Sequence, residues 1–515
     1  MTPRQGGPRA FVAMVVLAVG ALGLARATLK AQDPNAALQA AAAVLGPPTL
    51  ASIHVSGHGS DYVVGQMYDA HSPWSRFNMP SFSMVIDYVT PAMRTERIRE
   101  QWENPPRGGA LQPLVGQQRL VQLVSGSFAW NQTGEKPTPA GTGGAVRGES
   151  PGVGLHAPTA ADERLLQILF TPAGFIKAAL AANAEVRAET VRGRGKTIVS
   201  FVSPVKMRLE GTLDEQNLLE RIETWLGHPV LGDTMIEAVF FDYRDVGGIK
   251  FPGRITFREG GYPAFDLIVT DVKPNAPVSI EVPSAVRQSP AATPAGLVPQ
   301  QMSDGVWLLP GGSTSVVVEF REYLVVIDAP VDEERSIAAI DAIKKHLPRK
   351  PIRYVVNTHL HFDHVGGLRT YAAEGATIIT QRDNIAYFED IWSHPRTINP
   401  DRLAKSGKRA VFEGVVGTRT LSDGARKLVL YHYGGNAHNS GMLMAFLPRE
   451  RMLFEADSYI PGVGGSTHPA IPNLLQFYDV VQRLRLDVDQ ILPSHGRVAT
   501  FAELTELVEK ARAGK

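Results

Sequence analysis

The sequence predicts an α+β protein with two domains, and three observations carry this prediction. The chain has 515 residues, which is more than one ordinary domain holds. Residues 34–284 have the pattern of antiparallel β-strands with a few helices, whereas residues 303–515 alternate strands and helices. Residues 285–302, between these two parts, are rich in Pro, Ala and Gln, as is typical of a linker.

The composition limits the kinds of function that the chain can have. Its 44% hydrophobic and 20% charged residues are typical of a folded globular protein, and its formal net charge is +1. This near balance gives no electrostatic reason to expect nucleic acid as a partner. Because the chain has no cysteine, it has no disulfide, thiolate ligand or cysteine nucleophile. A metal site would therefore have to use His, Asp and Glu.

Residues 1–31 are predicted to be a signal peptide. Two arginines precede an apolar run at residues 10–25, whose length suits a signal peptide and is short for a membrane span. A small-x-small cleavage candidate ends at Ala27, and Ala31 is a second candidate. We therefore expect an exported, periplasmic protein, and the alternative is an uncleaved anchor helix.

The first domain is predicted from alternation of apolar and polar residues. Runs such as "SFSMVIDYV" and "MIEAVFFDYRDVGG" alternate in this way, and "DVGG" and "EGGYP" are hairpin turn signals. Residues 161–183 have helical spacing instead, with Pro172 between two helices, and residues 33–46 predict a further short helix. These patterns indicate an antiparallel sheet with a few helices.

The second domain is predicted from a regular alternation of helices and strands. "DEERSIAAIDAIKKHL" places Ile337, Ile340, Ile343 and Leu347 on one face of an amphipathic helix. "IRYVVNTH" and "QILPSH" read as buried strands, and "FAELTELVEKARAG" as the terminal helix.

The stretch "NTHLHFDHVGG" carries the most specific chemical signal. His359 and His361 are two residues apart at a predicted strand end, so their side chains point the same way and can hold one ion. Asp363 and His364 follow where the chain turns and can reach a second ion. The two glycines after them are expected to let the backbone turn sharply into the next helix. A histidine-rich exposed loop would explain the number of histidines but not this order at a strand end.

Further metal ligands must come from elsewhere, because this stretch cannot complete two sites that each keep an open position. Three candidates follow predicted strands. His438 follows "LYHYGGNA", Asp457 ends "RMLFEAD", and His495 ends "QILPSH".

This ordered set of residues resembles the metallo-β-lactamase superfamily, over about residues 304–497. The resemblance implies an αββα sandwich that holds two divalent ions at one edge between its sheets. Aspartate and imidazole ligands suit zinc as the metal and also allow iron or manganese. The resemblance assigns His359, His361 and His438 to the first metal, Asp363, His364 and His495 to the second, and Asp457 to a bridging position.

The complete ligand set is similar to the hydroxyacylglutathione hydrolase, lactonase and phosphodiesterase branches of that superfamily. The zinc-dependent β-lactamases differ, because they lack an aspartate at the position of Asp457. The resemblance therefore implies a hydrolase for an ester, lactone, thioester or amide, and β-lactam hydrolysis is an alternative. Two ions roughly 3.5–4 Å apart would share a water and turn it into hydroxide near neutral pH.

Two further roles are expected for side chains around the metals, whose substrate would be a small molecule. Asp363 is a candidate proton acceptor as well as a ligand. Tyr459, two residues after Asp457, is a candidate substrate contact, with a structural role as the equal alternative, and His468 is a weaker candidate in the same segment.

The first domain is similar in pattern to the half-barrel of outer-membrane lipoprotein carrier proteins, on the meander "YRDVGGIKFPGRITF" and "LIVTDVKPNAP". That resemblance implies a concave apolar face that could bind an apolar ligand, and the alternative is a scaffold that only supports the hydrolase. A second class of function is therefore a carrier protein with an accessory metal domain.

Overall fold

The structure is a computed structural model that describes residues 34–109, 114, 116–134, 136–140, 159–191, 193–289, 297–462 and 471–513. The predicted signal peptide and His468 lie outside these residues.

The N-terminal region is built on one sheet of 13 antiparallel strands, in the order β6-β5-β4-β3-β2-β1-β15-β14-β11-β10-β9-β8-β7, beside a small β12–β13 hairpin. The strands of this region are β1 (Ser52–Met67), β2 (Trp74–Asp87), β3 (Ala92–Gln101), β4 (Gln118–Ser125), β5 (Phe128–Thr133), β6 (Lys136–Pro139), β7 (Glu185–Val191), β8 (Arg194–Val202), β9 (Arg208–Leu213), β10 (Leu219–His228), β11 (Gly232–Phe241), β12 (Arg244–Val246), β13 (Ile249–Phe251), β14 (Arg254–Glu259) and β15 (Tyr262–Pro274).

The helices α1 (Pro34–Leu45), α2 (Ala160–Leu169) and α3 (Pro172–Ala181) pack against this sheet. Their apolar side chains share one core with strands from both ends of the sheet, including Val124 of β4 and Val199 of β8. A sheet can surround its helices in this way only if it curves, as twisted sheets of many strands do. The prediction of a β-rich domain with a few helices is confirmed, while the likeness to a lipoprotein carrier stays a prediction.

The C-terminal region contains a seven-stranded and a six-stranded sheet. A short helix, α4 (Ser284–Arg287), precedes it. The seven-stranded sheet has the order β16 (Gln300–Ser303), β17 (Val306–Leu309), β18 (Ser315–Glu319), β19 (Leu324–Ile327), β20 (Ile352–Val356), β21 (Thr377–Gln381) and β22 (Val411–Val415). The six-stranded sheet has the order β23 (Thr418–Ser422), β24 (Lys427–His432), β25 (Leu443–Leu447), β26 (Met452–Glu455), β27 (Gln490–Pro493) and β28 (Ala499–Thr500).

The two sheets face each other and helices cover their outer faces. Apolar residues of both sheets, such as Val316 and Leu430, form the core between them. The remaining helices are α5 (Glu333–His346), α6 (Phe362–Val365), α7 (Leu368–Glu374), α8 (Ile385–Ser393), α9 (Arg402–Ser406), α10 (Ile471–Arg483) and α11 (Phe501–Arg512). Helices α5 and α7 pack on the seven-stranded sheet, and α10 and α11 on the other. The predicted αββα sandwich is confirmed.

The two regions share a hydrophobic core. Met67 and Trp74 of the N-terminal sheet belong to the same buried cluster as Phe362 of α6 and Leu368 of α7. Trp74 is 1% exposed, stacks on Tyr262 with ring centroids 5.0 Å apart and meets Phe362 edge-on at 6.1 Å. This contact brings the end of β1 against α6.

A second contact, which we call the latch, joins residues 394–398 to residues 228–233. The guanidinium of Arg396 donates hydrogen bonds to the carbonyl oxygens of residues 228, 229 and 230 at 3.2, 3.0 and 2.6 Å. The carboxylate of Asp233 accepts from the backbone N–H and hydroxyl of Thr397 and from the N–H of Ile398. The latch therefore fastens the β10–β11 turn to the C-terminal region.

Among the described residues, no single helix is long and apolar enough to cross a membrane. Helices α2 and α3 together reach that length and composition, but they bend by 97° at their junction, and their buried apolar residues pack in the N-terminal core.

Candidate metal centre

The seven candidate ligands converge where strands of both C-terminal sheets end. His359 and His361 follow β20, and Asp363 and His364 lie on α6. The other three come from the segments after β24, β26 and β27, and they are His438, Asp457 and His495. The loops that follow the carboxyl ends of strands are common places for functional side chains.

The first group of side chains is His359, His361, His438 and Asp457, whose donor atoms all lie within 4.8 Å of one another. Nε2 of His359 lies 2.9 Å from Nδ1 of His361 and 3.3 Å from Nε2 of His438. Nε2 of His438 lies 3.1 Å from Oδ2 of Asp457. Three ring nitrogens and one carboxylate oxygen thus face one small space.

The second group is Asp363, His364, Asp457 and His495, with donor atoms again within 4.8 Å. Oδ1 of Asp457 lies 3.2 Å from Nε2 of His364 and 3.3 Å from Nε2 of His495. Oδ2 of Asp363 lies 3.1 Å from Nε2 of His495. Asp457 therefore directs one oxygen to each group, which is the geometry of a bridging ligand.

Two aspartates of the centre have backbone conformations that side chains rarely adopt. Asp457 has φ of 65° and Asp328, directly after β19, has φ of 61°. Such conformations cost free energy and persist at sites where the surroundings hold them. At Asp457 the conformation directs the carboxylate between the two groups.

The rings of four candidate ligands also contact oxygen atoms through their other nitrogen. Nδ1 of His364 lies 2.9 Å from Oδ2 of Asp328, and Nδ1 of His495 lies 3.1 Å from the Gly312 carbonyl. Nδ1 of His359 meets the Thr358 hydroxyl, and Nε2 of His361 meets the carbonyl of Met67. Such contacts orient a ligating imidazole and select its tautomer.

The pKa values of His359 and His361 are shifted in the opposite direction to that of His364. Burial, and next the neighbouring His438, lowers the pKa of His361 to about 3, and burial together with His364 lowers that of His359. Burial would also lower the pKa of His364, but Asp457, Asp363 and Asp328 raise it well above its ordinary value. His359 and His361 therefore present neutral rings, whose lone pairs are available to a cation.

The donor atoms fit a divalent cation. Nε2 of His364 and Oδ1 of Asp457 are buried and lie 3.2 Å apart, but no contact of either atom has the geometry of a hydrogen bond. Buried polar atoms without well-formed hydrogen bonds are costly, and a bound cation would satisfy both. Imidazole and carboxylate donors suit zinc, iron and manganese alike.

The two glycines after His364 form the turn between α6 and α7, but not through backbone conformations that only glycine adopts. Gly366 and Gly367 have φ of −57° and −102°, which any residue adopts. A side chain is excluded by contact instead, because a Cβ would lie 1.8 Å from the Val331 carbonyl oxygen at Gly366 and 1.8 Å from the Ser336 hydroxyl at Gly367. These glycines let α6 approach the loop after β19, which holds Asp328.

Tyr459 lies beside the centre in a hydrophobic core. Its side chain is 4% exposed and packs in the cluster with Tyr433 and Phe477. Its backbone N–H donates to Oε2 of Glu455, and burial, followed by Asp457, raises the pKa of that glutamate well above its ordinary value. A role for Tyr459 in binding substrate stays a prediction.

Sequence reasoning missed several residues that contact the candidate ligands, among them Asp328, Gln66 and Met67. Asp328 had a usable signal, since "VVIDAP" places an aspartate directly after a buried strand. Gln66 and Met67 had none, because they belong to β1 of the N-terminal region. Nε2 of Gln66 donates to Oδ1 of Asp363 at 2.9 Å, and the Met67 carbonyl lies 2.7 Å from Nε2 of His361.

Comparison with known proteins finds a family model that matches the C-terminal region. The model of the Metallo-beta-lactamase superfamily matches residues 308–496. A linear primary-alkylsulfatase of Pseudomonas sp is 35% identical over 89 residues, which are 17% of this chain and 13% of that protein. The alpha subunit of a 2,4-dinitroanisole O-demethylase of Nocardioides sp. is 28% identical over 162 residues, 30% of this chain and 43% of that protein.

A metallo-beta-lactamase from Pontibacter korlensis is a similar solved structure, with a TM-score of 0.32 and 20% identity, covering 42% of this chain and 99% of that one. The chain spans less than half the length of the two curated relatives. All seven candidate ligands lie within the matched residues. Residues 308–496 of the C-terminal region thus match the model of the metallo-beta-lactamase superfamily.

Proposed function

We propose that the chain is an exported binuclear metal-dependent hydrolase that acts on a small molecule. The observation that carries the proposal is Asp457, whose two oxygens face two separate groups of His and Asp donors. Structural zinc sites are normally closed by four ligands at one ion, whereas two adjoining groups that share a carboxylate suit hydrolysis. Zinc is the proposed metal.

Two bound divalent ions would supply a hydroxide nucleophile near neutral pH and polarise the bond under attack. The chain's own residues position these groups. His359, His361 and His438 hold one side of the centre, and Asp363, His364 and His495 hold the other. Asp363 is also the proposed proton acceptor, since its Oδ2 faces the same space as His495 and Asp457.

The proposed substrate is an ester-like small molecule: a carboxylic ester, lactone, thioester, amide or sulfate ester. Sulfate esters are included because two relatives are named as an alkylsulfatase and an alkyl/aryl-sulfatase. Those relatives match over only 89 and 105 residues, so the type of ester must be determined by experiment. β-Lactam hydrolysis is the alternative within this family.

The proposal is tested by metal analysis followed by a hydrolysis panel. The purified protein should contain two divalent ions and hydrolyse at least one of an aryl ester, a lactone, a thioester, an alkyl sulfate and nitrocefin. His438→Ala should abolish that activity, whereas His346→Ala, an exposed histidine on α5, should leave it unchanged. Metal-free protein without activity on the whole panel would refute the proposal.

A second candidate function is binding of an apolar ligand by the N-terminal sheet. The observation that favours it is an apolar cleft between α2 and the sheet. Its apolar lining includes Phe82, Met84, Met93, Phe170, Phe257 and Phe265. Met84→Arg should remove binding of a fluorescent fatty acid, while Val202→Arg, at a 54% exposed position, should not.

Export is proposed from residues 1–31 and calls for a separate test. The mature protein recovered from the periplasmic fraction should begin at Thr28 or Gln32, as read by N-terminal sequencing. A mature chain that begins at residue 1 and stays with the membrane would instead indicate an uncleaved anchor.

A further inference from the structure

The end of β1 is distorted where it reaches the metal centre. Val63 pairs with Ser75 and Met67 pairs with Trp74, so the register shifts by three extra residues on β1 between these two pairs. Gly65, in the middle of this bulge, has φ of 73°, and a Cβ there would lie 2.2 Å from Cγ of Phe362. Bulges redirect side chains and are common beside active sites. This bulge brings the backbone of β1 against α6, between His361 and Asp363.

The bulge presents one donor and one acceptor to two candidate ligands. Nε2 of Gln66, a side chain 8% exposed, donates to Oδ1 of Asp363 at 2.9 Å. The Met67 carbonyl oxygen lies 2.7 Å from Nε2 of His361 and also accepts from Asn439 at 3.0 Å. Gly109 closes the other side, since a Cβ there would lie 1.8 Å from Oε1 of Gln66 and 2.7 Å from Cε1 of His361.

These contacts determine which ligand atoms are free for a metal. The Gln66 amide occupies Oδ1 of Asp363, so Oδ2 is the oxygen that faces His364 and His495. The Met67 carbonyl can only accept, so the proton of His361 must lie on Nε2, which leaves the Nδ1 lone pair facing His359. Each contact therefore selects one donor atom for the centre.

We propose that Gln66 and Met67 are positioning residues of the metal centre, so that the N-terminal sheet is part of the site and not only an adjoining domain. The proposal rests on the proposed binuclear site. It assigns to Gln66 the placement of Asp363 in the second group, and to the Met67 carbonyl the tautomer of His361 in the first. Gln66 does so as a neutral donor, which adds no charge to a centre that holds two aspartates and five histidines.

The test is the affinity of the full-length protein for Zn²⁺, measured after chelation by competition with a chromophoric chelator. Gln66→Leu removes the donor, and Gln66→Glu keeps the side-chain size but places a carboxylate against Asp363. Both variants should bind the weaker of two Zn²⁺ ions roughly 10–100-fold less tightly, the range for groups that orient metal ligands. The visible absorption of Co²⁺-loaded protein should change as well, because the coordination of Asp363 changes.

Gln122→Leu is the matched control. Gln122 is also buried, at 6% exposure, in the same sheet on β4. This variant should lower the melting temperature without changing either Zn²⁺ affinity or the Co²⁺ spectrum, so it separates a general loss of stability from a local effect.

The outcomes distinguish this inference from the proposed function. If the wild-type protein binds no Zn²⁺, the binuclear site itself is wrong. If the wild-type protein binds two ions and both Gln66 variants bind them with unchanged affinity and spectrum, only the positioning role is refuted. If a Gln66 variant melts at a lower temperature than the Gln122→Leu control, the Co²⁺ spectrum of its folded fraction still shows whether the coordination of Asp363 has changed. An unchanged spectrum would refute the positioning role.

Discussion

The two regions of the molecule contribute different chemistry to one centre. The C-terminal sandwich supplies all seven His and Asp candidate ligands, from segments that follow strand ends. The N-terminal sheet supplies a neutral amide and a backbone carbonyl, from one bulge of β1. The contact between Gln66 and Asp363 joins residues 297 positions apart in the chain.

This difference separates coordination from orientation. The donors that would bind metal are concentrated in short motifs, whereas the groups that orient them come from a contact between domains. If that division is correct, changes on the C-terminal side should remove the metals, and changes at the domain contact should weaken their binding. Changes in the latch should affect stability alone.

The largest effect is expected at Asp457, which both groups share. Asp457→Ala removes one donor from each group and leaves His364 and His495 without the carboxylate between them. The rate of hydrolysis should fall by more than the roughly 10–100-fold expected when a group that only orients a metal ligand is changed. The content of both metal ions should fall as well. Asp479→Ala, at an exposed position on α10, is the control. A variant that keeps both ions would contradict the bridging geometry.

The next effect tests the shared core between the regions. Trp74→Ala would remove a buried ring that packs on Tyr262 and Phe362, and should lower the free energy of unfolding by about 3–5 kcal/mol. Because Phe362 lies between His361 and Asp363, metal affinity should fall as well. Trp130→Ala is matched, since Trp130 is 2% exposed in a separate cluster. Urea unfolding and Zn²⁺ titration should be measured for both variants. Equal Zn²⁺ affinities of the two variants would show that the shared core does not affect metal binding.

Much of the C-terminal region could be predicted because its signals are local. The spacing of Ile340 and Ile343 predicts a buried helix face, and both side chains are buried on α5. The order of His359, His361, Asp363 and His364 after a strand predicts that they meet, and the structure brings them together with the three downstream residues. That these residues bind metal is a proposal.

The contacts between regions could not be predicted, for physical reasons. Gln66 and Met67 occupy a strand that alternates polar and apolar residues, so each has an ordinary place in the pattern. Only the docking of two domains gives them a role. Gly366 and Gly367 illustrate the same limit, because a glycine required by close contact looks in the sequence like a glycine required by a turn.

A smaller effect is expected at the latch. Arg396→Ala would remove a buried guanidinium and its hydrogen bonds to the carbonyls of residues 228–230. Hydrogen bonds to charged groups contribute roughly 1.5–3 kcal/mol each and do not add fully, so a loss of about 3 kcal/mol is expected. Arg382→Ala, at an exposed position, is the control. Metal affinity should stay unchanged, and a fall like that of Trp74→Ala would mean that the latch also holds β1 in place.

The smallest effect is a pH dependence at Asp233. Burial would raise the pKa of this carboxyl, but hydrogen bonds from Thr397 and Ile398 lower it below its ordinary value of 3.8. The carboxylate therefore adds stability that is complete above about pH 3.8 and is lost as the pH falls through the folded-state pKa. Asp233→Asn should cost about 1–2 kcal/mol near pH 7. Its deficit against the wild type, measured by urea unfolding, should shrink as the pH falls below 3.8, because the wild type then loses the same charge. A deficit that stays constant into acid would show that the hydrogen-bond geometry of the latch, and not the charge of Asp233, joins the two regions there.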